Sequence, residues 1–471
     1  MASTQARQQR DHVPHAALST ALCETVSAWR FEDLPAGVVQ AVKLLLLDTL
    51  GVIAGAARAP GIAELNATLA RWEPAGTATG LIGKRGYSPP TAALANGAAA
   101  HALDFDDQHD PARVHACCVM LPAVLATAQD DAPLDGRAFL LALAAGAEID
   151  ARLGLACYNC LGQGWHPSTL LGALAGGIAC ARARGLDAGR TRDALGIAFH
   201  QACGSAQAIA DGALTKRLGP GFAARNAVTA AALAQSGVTG AVRPLEGDAG
   251  LFALHARGEA RPGVVLDRLG SDWLTAQYSI KPYPCCRCKH SAIALGADLH
   301  RQGIRPAELV RAEIRMGKVD WQTVGAPYEP ARDSVVHAQF NAAYGFARAL
   351  ADGKVDLRSY TRPHITDSAI AALAARVRVI ADESMDATAI GPVRIRLELT
   401  GGRVLETASD TIKGSPQAPL TEREVLDKLD GCLEFGLGAT RAQGERLADA
   451  VMRIERERDA AAAIVAAFPG A

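Results

Sequence analysis

The sequence has few aromatic residues and no excess of charge of either sign. Phenylalanine, tryptophan and tyrosine make up 5% of the 471 residues, so alanine, leucine, valine and isoleucine must build most of the interior. There are 48 basic and 49 acidic residues, giving a formal net charge of −1. A chain without a basic or acidic excess lacks the global field that attracts nucleic acid or an anionic membrane. We expect neither as a partner.

Long apolar runs are also missing. The most apolar stretches, Leu44–Leu47 and Phe139–Ala145, are short, and an aspartate follows each of them closely. Neither approaches the roughly 20 residues of a membrane-spanning helix. Met1–His15 is polar and has no apolar core of a secretory signal. We therefore expect a cytoplasmic protein with a mobile tail at residues 1–17.

The eleven cysteines are odd in number and scattered, which favours reduced thiols over a disulfide framework. Cys157-x-x-Cys160 and the trio Cys285, Cys286 and Cys288 could together bind zinc or an iron–sulfur cluster. However, the two groups lie far apart in the sequence, and no second C-x-x-C pair completes a zinc pattern. We therefore expect no metal.

The chain length indicates at least two domains. Residues 18–272 carry apolar side chains at three- and four-residue spacing, for example in Val38–Ile53, Phe139–Leu155 and Ser168–Arg184. Ser168 is expected to cap the last of these helices, in which several glycines allow another helix to pack closely. This pattern predicts a packed helical domain.

The pattern changes after Trp273. Val310–Met316 alternates apolar and charged residues, and Val393–Leu399 does the same before a turn at Gly401-Gly402, which predicts a β-hairpin. A further strand is predicted at Val377–Ile380 and helices at Ser291–Gln302 and Gln339–Asp352. Residues 273–412 are therefore predicted to form a smaller α+β domain.

Helical spacing returns in residues 413–471. Thr421-x-x-Glu424 is a capping box, and Arg441–Phe468 is predicted to be one long final helix. The fold class we expect is mainly α: a large all-α domain built from both ends of the chain, with a smaller α+β lid domain inserted. A cleft between two such domains suits a small ligand.

The segment His101–His109 holds three carboxylates and two imidazoles in nine positions. Crowding and burial both oppose ionisation of carboxylates, so their pKa values are expected to rise towards the range useful for proton transfer. The alternative is a helix that ends in a solvated acidic loop.

Cationic groups occur in three other segments. His166 precedes a glycine-rich helix whose N-terminus favours anions, and Lys216-Arg217 forms a basic pair. Lys281–His290 gathers four cationic groups, and two prolines restrict its backbone. Tyr344 lies on a predicted helix. Each alone is more often structural: a satisfied histidine, a solvated turn or a core tyrosine. Together they indicate proton chemistry on a polycarboxylate.

In this order, these segments resemble the MmgE/PrpD family, which includes 2-methylcitrate dehydratase, cis-aconitate decarboxylase and iminodisuccinate epimerase. The resemblance covers nearly the whole chain. The matching sequence segments are LLLDTLGVIAGA at 45–56, NGAAAHALDFDD at 96–107, WHPSTLLGALAGGIA at 165–179, LTKRL at 214–218, KPYPCCR at 281–287 and AQFNAAY at 338–344.

The resemblance implies a homodimer without metal or organic cofactor and an active site between the helical domain and the lid. It also implies a set of site residues. The catalytic candidates are Asp104, His115, His166, Lys216, Lys281 and Tyr344; the substrate-binding candidates are Gln108, Arg217, Arg287 and His290.

The sequence departs from the family pattern at several positions. Gln108 replaces a common threonine, Gly219 a common histidine and Lys289 a frequent threonine. Cys286 occupies the position of a histidine in the decarboxylase, which weakens that assignment.

The leading hypothesis is a cofactor-independent hydro-lyase acting on a small 2-hydroxy di- or tricarboxylate such as 2-methylcitrate. Asp104 and His115 would transfer protons, with Tyr344 or His290 as a second donor, while cationic groups hold the carboxylates. The alternatives are an epimerase of a substituted succinate, a cis-aconitate-type decarboxylase, an iron–sulfur dehydratase and an inactive carboxylate-binding protein.

Overall fold

A computed structural model describes residues 18–73, 75–130 and 132–470; the tail predicted at 1–17 lies outside them. Helices dominate these residues. They are α1 Leu18–Ala28, α2 Ala36–Gly55, α3 Ile62–Trp72, α4 Pro89–His101, α5 Cys117–Ala128, α6 Gly136–Ala156, α7 Pro167–Ala183, α8 Ala188–His200, α9 Gln207–Ala210, α10 Thr215–Gln235, α11 Leu251–His255, α12 His290–Arg301, α13 Lys318–Val324, α14 Val335–Gln339, α15 Ala342–Asp352, α16 Arg362–Ile365, α17 Ser368–Ala374, α18 Glu422–Leu437, α19 Arg441–Met452 and α20 Ala460–Ala467.

Glycine allows the helices of the first region to pack closely. A Cβ added to Gly97 of α4 would lie 2.8 Å from the Cα of Gly221 in α10, and one added to Gly176 of α7 would lie 2.9 Å from the Cβ of Ala227 in α10. Such contacts exclude larger side chains. They fix α4, α7 and α10 relative to one another, and predicted site residues lie next to the C-terminus of α4 and at the N-termini of α7 and α10.

By length and composition alone, helix α2 and the turn that follows it are long and apolar enough to cross a membrane. This differs from the sequence prediction, which considers only uninterrupted apolar runs. Of the most apolar window of this helix, 67% is buried inside the protein, where α2 packs against α18. The core helix of a globular protein passes the same test.

The second region contains a four-stranded sheet in the order β4-β3-β5-β6. Strands β3 and β4 are parallel and the other pairs antiparallel. As predicted, alternate residues of β3 and β5 are buried, and β5 and β6 form a hairpin. The strands are β3 Leu309–Met316, β4 Val377–Ala381, β5 Val393–Leu399 and β6 Val404–Ser409; β1 Ala78–Gly80 and β2 Arg85–Tyr87 form a small hairpin in the first region, which is therefore not purely helical.

Two predicted helices have different bounds. The helix predicted at Gln339–Asp352 begins at Ala342, because the side chain of Asn341 accepts a hydrogen bond from the backbone N–H of Tyr344 and so starts α15. Asp459 does the same before α20, so the predicted final helix is split after Met452. The capping box at Thr421 is confirmed.

Most buried apolar side chains among the described residues belong to two clusters. One contains residues from most of the helices up to α11 and from α18, α19 and α20, so the first and last described helices share a core. It also includes Trp273, Tyr278 and Ile280, which were assigned to the second domain. The other cluster runs from Cys285 to Leu399. The inserted lid and its boundaries at 273 and 412 stay predictions.

Candidate active site

A small cavity of about 60 Å³ lies where the helix ends of the first region meet the segment that leads into α12. It shares lining residues with a larger cleft of about 1370 Å³, but the predicted site residues that reach a cavity line the smaller space. Seven of the ten predicted residues line it: Asp104, Gln108, His115, His166, Lys216, Lys281 and Arg287.

The carboxylate of Asp104 forms ion pairs with two buried lysines. Its Oδ1 lies 3.1 Å from Nζ of Lys281 and 3.2 Å from Nζ of Lys216, and Lys281 also donates to its backbone carbonyl. Burial opposes ionisation, but the two ammonium groups overcome it and lower the pKa of Asp104, while Asp104 raises the pKa of Lys281 against the effect of burial. The cluster carries one negative and two positive charges.

The backbone at Asp104 is in the left-handed region, with φ of 52°. Aspartate tolerates this region better than most residues, but conformations of this kind persist only where the surroundings enforce them. The Oδ2 atom of Asp104 is buried and has no hydrogen-bond partner among the described residues. Because its carboxylate is a weak base between two cations, Asp104 suits holding the lysines better than the proton abstraction we expected of it.

His101, Asp106 and His115 form a second buried cluster. Nδ1 of His101 lies 2.7 Å and Nδ1 of His115 3.4 Å from Oδ2 of Asp106. Burial lowers the pKa of His101 and lowers that of His115 to about 3, against the opposing effect of Asp106. Both imidazoles are therefore neutral near pH 7.

Nδ1 of His115 lies 2.6 Å from the backbone carbonyl of Asp107. A carbonyl only accepts, so Nδ1 carries the proton and Nε2 has a free lone pair. Among the described residues Nε2 has no hydrogen-bond partner, and the side chain lines the cavity. This geometry suits a base.

His166 immediately precedes α7, and its Nδ1 lies 2.7 Å from Oγ1 of Thr169. Burial lowers its pKa well below the ordinary value. A Cβ at Gly219 would lie 2.2 Å from the same threonine oxygen, so a larger residue there would displace the threonine that orients His166. Ser168 does not cap α7; its hydroxyl accepts the backbone N–H of His115.

The expected rise in carboxylate pKa occurs at Asp107 rather than at Asp104. Burial raises the pKa of Asp107 to about 7, and Asp106 and Asp48 add to the rise. Both oxygens of Asp107 accept backbone N–H groups, from Ala116 and Cys117 at the start of α5. This residue anchors a helix and does not line the cavity.

Arg287 lines the cavity but already has a carboxylate partner. Its Nε and Nη2 atoms lie 3.1 and 3.2 Å from the two oxygens of Asp110, and its Nη1 donates to the carbonyl of Lys413. Gln108 also contacts Asp110, at 3.4 Å. Lys216 and Lys281 are therefore better placed to bind a substrate carboxylate.

Three predicted residues do not line the cavity. The hydroxyl of Tyr344 donates to the carbonyl of Ser359 inside the second core. Nη1 of Arg217 donates to the carbonyl of Pro60. His290 is buried between a backbone carbonyl and a guanidinium group of its own segment. Each polar group is used within the protein, so a role in proton transfer or substrate binding lacks support for these three.

Several residues at the site were not selected from the sequence. His101 and Asp106 belong to the acidic segment that drew attention, but nothing in a single sequence distinguishes them from their neighbours. Arg113, Cys286 and Cys288 also line the cavity; the sequence offers the two cysteines as metal ligands, and Cys286 also as a departure from the family pattern.

The nitrogen and oxygen atoms of His101, Asp106 and His115 lie within 4.8 Å of one another, as metal ligands would. However, the 2.7 Å between His101 and Asp106 is a hydrogen-bond distance, and the proton on Nδ1 of His115 occupies the atom that faces Asp106. We interpret the group as a hydrogen-bonded cluster. Among the described residues, no three thiols converge on one point.

Comparison with known proteins agrees with the sequence resemblance. Residues 20–262 match the MmgE/PrpD N-terminal domain, and residues 283–454 match the MmgE/PrpD C-terminal domain. The chain belongs to the MmgE/PrpD family.

Relatives in this family carry decarboxylase names. The chain is 28% identical to the cis-aconitate decarboxylase-like protein oryM of Aspergillus oryzae, with 95% of this chain and 97% of the relative covered. It is 29% identical to a cis-aconitate decarboxylase of Aspergillus terreus (90% of each) and 28% identical to the human one (72% of each). These names favour the decarboxylase alternative, whereas the leading hypothesis of a 2-methylcitrate dehydratase is not confirmed.

Proposed function

We propose that this protein is a lyase that removes CO2 from an unsaturated tricarboxylate of the cis-aconitate type, using side chains alone. The observation that carries the proposal is the buried cluster of Asp104, Lys216 and Lys281 beside neutral imidazoles in one cavity. The names of the relatives support the choice of reaction.

The chemistry requires charge to move along the substrate. The bond from the saturated methylene carbon to its carboxylate breaks, CO2 leaves, and the electron pair forms a new double bond to the central carbon. The electrons of the former double bond move to the carbon beside another carboxylate, which then takes up one proton. Negative charge therefore spreads onto that carboxylate before the proton arrives.

Lys216 and Lys281 suit this step because both are fixed before substrate binds. Preorganised cations in a site that excludes water stabilise a developing enediolate more than cations in water do. Asp104 keeps both ammonium groups in position and leaves the cluster with a net positive charge, which favours a bound carboxylate.

The lone pair of His115 favours a second candidate. A neutral imidazole facing the cavity can remove a proton beside a carboxylate, which is the step shared by dehydration and epimerisation. The same lysines would stabilise the enediolate formed in that case.

The experiment that tests the proposal incubates purified protein with cis-aconitate, citrate, 2-methylcitrate and iminodisuccinate in separate D2O reactions and follows each by NMR. We expect loss of CO2 from cis-aconitate with one deuterium in the product. Elimination of water from a hydroxy acid, or deuterium in recovered iminodisuccinate, together with no loss of CO2, would favour the second candidate.

A further inference from the structure

The segment that leads into α12 contributes two thiols to the small cavity. Cys286 and Cys288 line it together with Lys281 and Asp104, whereas the neighbouring Cys285 does not. Both cavity thiols are nearly buried, with 8% and 4% of their surface exposed. Because these thiols line the cavity and are otherwise buried, a substrate bound there can contact them, whereas molecules in bulk solvent have little access.

Gln339 fixes this segment against the acidic one. Its backbone carbonyl accepts the N–H of Cys286 at 3.1 Å, and its side-chain amide donates to the carbonyl of Leu103, the residue before Asp104, at 2.7 Å. The same amide donates to the carbonyl of Pro284. The position of Cys286 relative to Asp104 is thus set by hydrogen bonds on both sides.

The two thiols differ in acidity because Cys288 donates a hydrogen bond to the sulfur of Cys286. A hydrogen bond from Cys288 lowers the pKa of Cys286, although burial opposes this, and the same bond with burial raises the pKa of Cys288 well above its ordinary value. Nη1 of Arg113 also lies 3.7 Å from the sulfur of Cys288. Cys286 is the more acidic thiol.

Other titratable groups surround the pair. Those that act on Cys286, or on which it acts, are Asp104, Lys281, Cys285, Cys288 and Lys289; those that act on Cys288 are Cys286, Arg113 and Asp320.

The reaction proposed above needs a proton donor, and four of the other ionisable groups that line the cavity are poor ones. Asp104 is ionised, and the raised pKa of Lys281 makes its ammonium group a weaker acid than usual. His115 has no proton on Nε2. His166 is a neutral imidazole, whose remaining N–H is a very weak acid. A thiol matches the acidity that general acid catalysis at neutral pH requires.

We propose that Cys286 is the proton donor of this reaction, an inference that rests on the proposed function. The S–H bond of Cys286 breaks, and the proton joins the carbon that received the electron pair when CO2 left. The S–H electron pair stays on sulfur as a thiolate, which accepts the hydrogen bond of Cys288. Water returns a proton to Cys286 after the product leaves.

The test compares Cys286→Ser with Cys285→Ser, a matched change one residue away that does not reach the cavity. A serine hydroxyl is too weak an acid to replace the thiol. Cys286→Ser is expected to lower kcat for CO2 release from cis-aconitate by about 10²–10⁴-fold, the usual contribution of general acid catalysis, while Cys285→Ser stays close to wild type. Thermal unfolding of both variants checks that they fold.

Two further readouts separate proton donation from a structural role. In D2O the wild-type product should carry its deuterium on one face only, and the residual product of Cys286→Ser on both faces. Cys288→Ala removes the hydrogen bond that favours the thiolate, so the pKa of Cys286 should rise. Because the donor must be protonated, the loss of activity at high pH should then begin at a higher pH than in wild type.

The outcomes for the two proposals are distinct. If wild type releases no CO2 from cis-aconitate, the proposed function fails. If wild type does so, but Cys286→Ser or Cys286→Ala retains kcat within threefold with the same pH profile and one-sided deuterium, then the proposed function stands and Cys286 is not the donor.

Discussion

The cavity has two neighbouring clusters that burial affects in opposite ways. Around Asp104, two lysines compensate the cost of burying a charge, and the pKa of the carboxyl group lies below its ordinary value. Around Asp106, the partners are imidazoles, and burial keeps both neutral. The difference shows that desolvation decides the protonation state only where no fixed opposite charge outweighs it. One cluster is thus suited to binding anions and the other to accepting protons.

The largest effect is expected when the charged cluster loses a cation. Lys281→Met keeps the length of the side chain but removes one of two charges that face the developing enediolate. Removing one such donor usually costs 10²–10³-fold in kcat, and we expect a loss of about 10³-fold in CO2 release from cis-aconitate. Lys354→Met changes an exposed lysine and serves as the control. A loss below tenfold would remove Lys281 from charge stabilisation.

Removing the negative member tests the same cluster through stability. Asp104→Asn leaves two buried ammonium groups without a counter-charge, and breaking a buried ion pair costs about 3–5 kcal/mol. We expect the free energy of unfolding, measured with urea, to fall by about 3 kcal/mol. Asp449→Asn, at an exposed pair, should change it by less than about 0.5 kcal/mol. Equal effects of the two changes would contradict the compensation described for Asp104.

The neutral cluster is tested by pH. The pKa of His115 is about 3 in the folded protein and about 6.5 in an unfolded chain, so below pH 6.5 the unfolded chain binds the extra proton and the folded state loses stability as pH falls. This term amounts to about 1.4 kcal/mol per pH unit. In His115→Asn the free energy of unfolding should fall less steeply than in wild type as the pH is lowered from 6 to 4, and the slopes should differ by that amount. If the unfolding free energies of wild type and His115→Asn depended on pH in the same way, burial would not be what keeps His115 neutral.

The smallest effect is expected from chelation. Because hydrogen bonds occupy the facing atoms of His101, Asp106 and His115, treatment with EDTA and dialysis should leave activity within twofold. A large loss restored by one divalent metal would show that this cluster binds an ion.

Much of the secondary structure could be predicted from the sequence because some sequence patterns are local. The alternation in β3 and β5 and the capping box at Thr421 gave correct elements, since each depends on a few neighbouring residues. The helix starts after Asn341 and Asp459 were missed because a capping residue within an apolar pattern is recognised only from the direction of the helix that follows it.

Site residues divide in a similar way. Lys216 and Lys281 were selected as cationic groups in otherwise unusual segments, and the structure brings both to the carboxylate of Asp104. Tyr344 and His290 were selected from their segments and by resemblance, but packing uses their polar groups elsewhere. The neutral state of His115 and the ionised state of Asp104 depend on which distant residues surround them, and composition does not reveal that.

The central claim is that Lys216 and Lys281 bind a carboxylate of the substrate. A crystal structure of the protein with tricarballylate, a saturated tricarboxylate that cannot undergo the proposed rearrangement, tests it most directly. We predict one carboxylate of the ligand within hydrogen-bond distance of both Nζ atoms, in the small cavity beside Cys286. Tricarballylate bound only in the larger cleft, with Lys216 and Lys281 contacting Asp104 alone, would contradict it.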